Sequence, residues 1–352
     1  MDKRERFLCL TAICGELPCD LAGYAVGSSS YAASLVTRLK REGYLAVRKK
    51  DGIRGYVLKA KGKRELLEKY PDDFSLFLTG SVETNHVKSE PQKRLRLHRM
   101  GMAWVYFYRM GTRIFVTEKP DFPPSVHEVR KRMAYYGAME LKGGSDKVKG
   151  SRACGVLVSD KMPFVVYHSM EQLMKWAKKT ERSMRSYTER LFVNRGFAYQ
   201  ADAVMIGLSM KMLTVLLTSD GGIKKNLFQV DDVYEHYYFV PMKEDSLAQL
   251  TLITGEIAGQ RFYDFLCQTL YRREEKEYAR MAGYDETGTP IYFCYELELR
   301  SLMRIKQEMD WKGMGKIVCL DYQVEALQNY FGKEVEVLAI LPEKVMEYIR
   351  EC

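Results

Sequence analysis

The sequence contains no paired cysteine motif. Its eight Cys in 352 residues include no C-x-x-C, and Cys9, Cys14 and Cys19 have no His near them. That spacing argues against a zinc framework and a disulfide scaffold, so the chain reads as a reduced, cytoplasmic protein. Histidine is scarce as well. His86, His98, His127, His168 and His236 are dispersed and form neither H-x-x-x-H nor H-E-x-x-H. The metal cluster that a relaxase builds from three His has no counterpart here. Lys142-Gly143-Gly144-Ser145 lacks the spacing of a phosphate loop, and no G-x-S-x-G elbow occurs. No run of 18 uncharged apolar residues exists, so neither a transmembrane helix nor a membrane partner is expected. The opening MDKRERFLCLTAICGELPCD is charged, its apolar run is short, and it does not read as a secretory signal.

Positive charge is present, and it is concentrated. The formal net charge is +9. Residues 1–70 carry +7 and residues 93–133 another +7, while residues 71–92 carry −3 and residues 134–352 carry −2. Concentrated positive charge attracts phosphate backbones in a salt-dependent way. At about 100–200 residues per domain the length predicts two or three domains. Apolar residues at 46% and charged residues at 29% are ordinary globular values, which excludes collagen-like, coiled-coil and wholly disordered chains.

The pattern of residues 1–70 is local and detailed. Residues 3–13 read as a helix, Leu17 to Tyr24 as a short second one, and Gly27-Ser28-Ser29-Ser30 as a turn and cap. The third helix runs to about Glu42, burying Ala32, Leu35, Val36 and Leu39, and Gly43 stops it. Residues 44–50 and 53–58 are β-rich runs joined by Asp51-Gly52, a strong hairpin signal. A helix over 61–70 completes a winged helix-turn-helix pattern. In such a module the third helix enters the major groove, where Ser29, Ser30, Ser34, Thr37, Arg38 and Arg41 would reach base edges and phosphates. Lys49, Lys50 and Arg54 would flank the wing tip and meet the backbone. The partner predicted is therefore double-stranded DNA.

Residues 71–92 read as a linker, 93–235 as the first part of an α/β body and 236–352 as its second part. Residues 93–110 form a helix, basic at its start, with Met100, Met102, Trp104, Phe107 and Met110 in a core. Strands are expected over 114–118, 134–142, 152–158 and 164–167, and a long helix over 169–193. In 201–218 the segment KMLTVLLTS reads as a buried strand. A helix is expected over 256–281. The chain ends in a β-α-β-α unit from Lys316 to Arg350, which predicts parallel pairing. The fold class predicted is multidomain α+β: a winged helix followed by an α/β body with a central mixed sheet.

Tyr135 to Lys142, Ser151-Arg152-Ala153-Cys154-Gly155, Val166-Tyr167 and Met174-Lys175-Trp176 follow one another as an aromatic run ending in Glu-x-Lys, a basic loop, a Ser-Arg-x-x-Gly strand, a Val-Tyr strand and a Lys-Trp helix. With the winged-helix start, this order over residues 1–195 resembles the replication-relaxation-like proteins of Gram-positive plasmids and conjugative elements. The resemblance implies a DNA-binding accessory protein of a mobile element, acting in replication, transfer or transcriptional regulation alongside relaxase or replication proteins. It also implies a restriction-endonuclease-like body. A homodimer on a palindromic site fits a winged helix, although no heptad seam is visible.

An alternative is a metal-dependent nuclease. Pro120-Asp121 followed by Glu140-Leu141-Lys142 matches the PD-(D/E)XK signature. Asp121 and Glu140 would hold Mg²⁺, and Lys142 would position the attacking water or steady the developing charge. Without that chemistry no cofactor is expected. The remaining alternative is a non-enzymatic protein-interaction module.

Overall fold

The computed structural model describes residues 2–78, 90–143, 150–222, 225–271, 280–313 and 315–351, apart from the side chains of Lys142 and Lys312. Residues 79–89 of the linker expected over 71–92, most of the Lys-rich loop at 143–150 and the charged helix end at 272–279 lie outside the described residues. Among the described residues the chain is mixed α and β, with fourteen α-helices and twelve strands. It forms two compact units. The first comprises Met1–Pro124, Arg132–Asp146 and Ala153–Val158; the second comprises Ser125–Lys131, Lys147–Arg152 and Ser159–Cys352.

The first unit opens with α1 (Lys3–Cys14), β1 (Leu17–Pro18), α2 (Ala22–Val26) and α3 (Ser29–Arg41). It continues with β2 (Leu45–Lys50), β3 (Ile53–Leu58), α4 (Ala60–Lys69), α5 (Pro71–Phe74) and α6 (Pro91–Arg109). Asp2 starts α1 by accepting from the Glu5 amide at 2.7 Å. Helix α3 buries Ala32, Leu35, Val36 and Leu39. It ends in a Schellman pair, with Gly43 N bonded to Lys40 O at 3.2 Å and Tyr44 N to Leu39 O at 2.9 Å. The three strands lie in the order β1-β3-β2, all antiparallel. Asp51 and Gly52 join β2 to β3 with φ values of 52° and 74°, as a two-residue hairpin turn requires.

Helix α6 packs on α1, α2, β1 and β3, so the boundary expected at 92/93 runs through one compact unit. Its apolar end is core, with Met102, Trp104, Phe107 and Met110 all buried. The expected linker is ordered where described. Phe74 is fully buried, and the Asp73 carboxylate accepts from the Thr117 amide and hydroxyl at 2.8 and 3.0 Å. Those bonds explain why 114–118 is a series of turns rather than the expected strand: the backbone there is tied to a side chain, not to a ladder. Helix α7 (Val126–Val129) belongs to the second unit, and β4 (Ala134–Gly137) and β5 (Gly155–Val158) pair antiparallel in the first. The strand expected over 134–142 stops at Gly137. The Gly137 amide donates to Glu140 Oε2 at 2.8 Å, and the chain turns into a 3₁₀ segment over Glu140–Gly143.

The second unit holds the parallel strands β6 (Pro163–Met170), β7 (Asp202–Gly207) and β8 (Tyr237–Pro241) with α8 (Lys178–Phe192), α9 (Lys211–Leu217), α10 (Ser246–Thr254) and α11 (Glu256–Cys267). The helix expected from 169 begins only at Lys178, because β6 runs on to Met170. KMLTVLL is a helix, not a strand. It buries Met212, Leu213, Leu216 and Leu217, the i, i+1, i+4, i+5 spacing of one helical face. The helix expected over 256–281 ends at Cys267. The closing segment adds β9 (Gly283–Tyr284), β10 (Pro290–Phe293), α12 (Leu299–Lys312), β11 (Lys316–Leu320), α13 (Val324–Phe331), β12 (Glu336–Ile340) and α14 (Pro342–Glu351). These strands form a mixed sheet in the order β12-β11-β10-β9, with β11 and β12 parallel as expected and β10 parallel to β11 as well. No described helix is long and apolar enough to cross a membrane.

Candidate nucleic-acid interface

Helix α3 presents two faces. At 3.6 residues per turn, Ser30, Ser34, Thr37 and Arg41 follow one another at i, i+4, i+7 and i+11, opposite the buried stripe. All four are exposed, as are Ser29 and Arg38. Ser28 caps the helix, accepting from the Tyr31 amide at 3.4 Å, and its Oγ lies 3.3 Å from that of Ser30. Thr37 Oγ1 donates to Ala33 O at 2.9 Å, which leaves its methyl and oxygen lone pairs outward. Arg38 lies 4.0 Å from Glu42, an exposed i, i+4 pair worth about 0.3–0.5 kcal/mol. That hold is too weak to sequester the guanidinium from a phosphate.

The hairpin supplies the second group. Lys49 pairs in register with Arg54, and Lys50 with Ile53, directly before and after Asp51-Gly52. Lys49, Lys50 and Arg54 are all exposed. The nine residues singled out from the sequence therefore reach solvent from two places in one unit, a helix face and a hairpin tip.

The second basic block is less uniform than its charge suggests. Arg94 is fully buried on α6, bonded through Nε and Nη2 to Glu16, which is also fully buried. His98, one turn on, places Nε2 3.1 Å from Glu16 Oε1, and Arg48 Nη1 lies 3.8 Å from Oε2. Burial pushes the Glu16 carboxyl up, but the hydrogen bonds from His98 and Arg94 outweigh it and bring it down to about 2. The sequence does carry a signal for this network. Arg94, His98, Met102 and Val105 share one helical stripe, so a cation stands in line with the core positions.

The nuclease signature is not assembled as the motif requires. Glu140 sits in the 3₁₀ turn rather than on a strand. Its Oε1 is 2.6 Å from Lys119 Nζ, and its Oε2 accepts from Gly137 N. Both carboxylate oxygens are thus engaged, and a divalent cation would have to displace a buried ammonium. Asp121 is exposed on the loop that follows Pro120. The Lys142 side chain lies outside the described residues. No group of three or more His, Cys, Asp and Glu comes together among the described residues. The residues present do not fit a Mg²⁺ site.

No protein-family model, no curated protein and no solved structure matches the chain.

Proposed function

We propose that residues 1–70 are a winged helix-turn-helix that binds double-stranded DNA, with α3 as recognition helix and the β2–β3 hairpin as wing. The observation that supports it is the exposure of Ser30, Ser34, Thr37 and Arg41 along one face of α3 together with Lys49, Lys50 and Arg54 at the hairpin tip. Short hydroxyl side chains and an Arg on a capped helix suit base edges, and cations on a stiff hairpin suit phosphates. The resemblance of residues 1–195 to replication-relaxation-like proteins makes the role an accessory one in replication, transfer or regulation of a mobile element. A relaxase or coupling-ATPase gene beside this one would support that context.

The test is a titration of a labelled duplex at several salt concentrations. Arg38→Ala with Lys49→Ala and Arg54→Ala should lower the dependence of log affinity on log salt by about 1 per phosphate contact removed. Ser34→Ala and Thr37→Ala should instead relax sequence preference and leave the slope alone. A triple variant with unchanged affinity and slope would refute the proposal.

A further inference from the structure

Arg94 belongs to α6, yet its guanidinium grips the hairpin's main chain. Nη1 donates to Lys50 O at 2.9 Å, and Nη2 reaches Ile53 O at 3.2 Å and Arg48 O at 3.4 Å. Lys50 and Ile53 are the residues on either side of the Asp51-Gly52 turn. Nε and the same Nη2 also bond the Glu16 carboxylate. Glu16 in turn lies against Gly55, where a Cβ would overlap its side chain.

We propose that Arg94, oriented by Glu16, is the positioning residue of the hairpin tip, holding Lys49, Lys50 and Arg54 in place for a phosphate backbone. This rests on the DNA-binding reading above. A two-stranded hairpin tip is marginal in water on its own, and long side chains on a mobile tip lose entropy when they bind. Three carbonyls tied to one buried guanidinium remove that freedom in advance. The Arg94 charge is itself compensated by Glu16 and shielded from solvent, so Arg94 acts through the tip rather than on the phosphate.

Two readouts test this on the full chain. The double variant Glu16→Leu with Arg94→Met replaces the buried pair with apolar groups, a change that cores often accept. Hydrogen exchange of amides over residues 47–54 should speed up about tenfold or more, as expected for losing bonds to a charged donor, with α3 amides unchanged. Arg94→Lys keeps the charge but lacks the planar fork, and it should show the same local effect if the double variant does not fold. In DNA titrations Arg94→Lys should weaken binding severalfold in the wild-type background and have no effect once Lys49, Lys50 and Arg54 are alanine. Unchanged hairpin exchange overturns the proposal while leaving DNA binding by α3 intact. A full effect of Arg94→Lys in the alanine background overturns it in favour of direct contact or general stability. A wild-type chain that binds no duplex at any salt refutes the DNA-binding reading and the phosphate role with it, and the exchange result then decides whether the tether exists.

Discussion

Replacing Lys119 with Met should be one of the costliest single changes in the first unit. The ammonium is 3% exposed and the Glu140 carboxylate 8% exposed, 2.6 Å apart. Lys119 Nζ also donates to Ile114 O and Tyr135 O, both at 3.0 Å, and stands 5.1 Å from the Trp104 ring and 4.6 Å from that of Tyr136. Burial lowers the lysine's pKa against the pull of Glu140, and burial raises the Glu140 pKa against the pull of Lys119. Both directions say that desolvation outweighs mutual attraction, so the intact pair adds little net stability while either half alone is a liability. Lys119→Met strands a carboxylate and two buried carbonyls, which should cost about 3–5 kcal/mol at pH 8. Glu140→Gln leaves the ammonium its two carbonyls and two rings and preserves an acceptor for Gly137 N, so it should cost about 1–2 kcal/mol. The pH dependence follows from the raised carboxyl. The folded state holds that proton to higher pH than the unfolded chain, whose carboxyl releases it near 4.5. Stability is therefore lost as pH rises from 4.5 through the folded value and regained on acidification. Without Lys119 the window widens, so the deficit of Lys119→Met should shrink between pH 8 and pH 5. Urea unfolding at the two pH values measures it. A deficit below about 1 kcal/mol at pH 8, or one that does not change with pH, would refute the reasoning.

Glu16 should behave in the opposite sense. Its folded carboxyl is depressed to about 2, so its contribution is complete above the ordinary 4.5 and lost as pH falls from 4.5 towards 2. Thermal melts of Glu16→Gln should therefore lie below wild type at neutral pH and converge with it in that acid window. Gly52→Ala has open space around it, since no atom lies within 4 Å of an added Cβ, but φ is 74°. The backbone alone should cost about 1–2 kcal/mol, read as a lowered melting temperature without change in the α3 amides.

Legibility followed the range of the interactions. Helix α3 and its hairpin could be read because their signals are neighbours in sequence: the Ser28 cap, the Gly43 stop and Asp51-Gly52. The parallel pairing of β11 and β12 could be read from the alternation of strand and helix after Lys316. What failed was decided by distant partners. Ile114–Glu118 is rich in β-formers, but Asp73 takes the Thr117 amide from 44 positions away. KMLTVLL is so uniformly apolar that its period is hidden until the buried set is known. Glu140-Leu141-Lys142 matched a motif, yet Glu140 is spent on the amide three residues back and on Lys119, a partner that no local pattern names. The exposure of the nine candidate residues needed only the apolar stripe of α3 and the turn. Arg94 was counted with the basic front because charge by segment takes no account of burial.

The two buried pairs of the first unit also correct the meaning of that count. Of the +7 on residues 93–133, Arg94 and Lys119 are each cancelled by a buried carboxylate, Glu16 in one case and Glu140 in the other. Neither adds to the field that a polyanion meets. The pairs differ in how firmly their charge is held. Glu16 shares the Arg94 Nε–H between its two oxygens, accepts from Nη2 and has a contact from His98, so it stays ionised far into acid. Glu140 has one ammonium and one amide, so burial prevails and its proton is held more tightly. The firmly ionised carboxylate is the one that orients the guanidinium behind Lys49, Lys50 and Arg54. The proposed tether needs an anion that stays charged across the neutral range, and Glu16, held at about 2, meets that requirement. On the proposal above, the cations that would meet a phosphate backbone are those exposed on α3 and at the hairpin tip, and the buried Arg94 of α6 would fix where the hairpin presents its share.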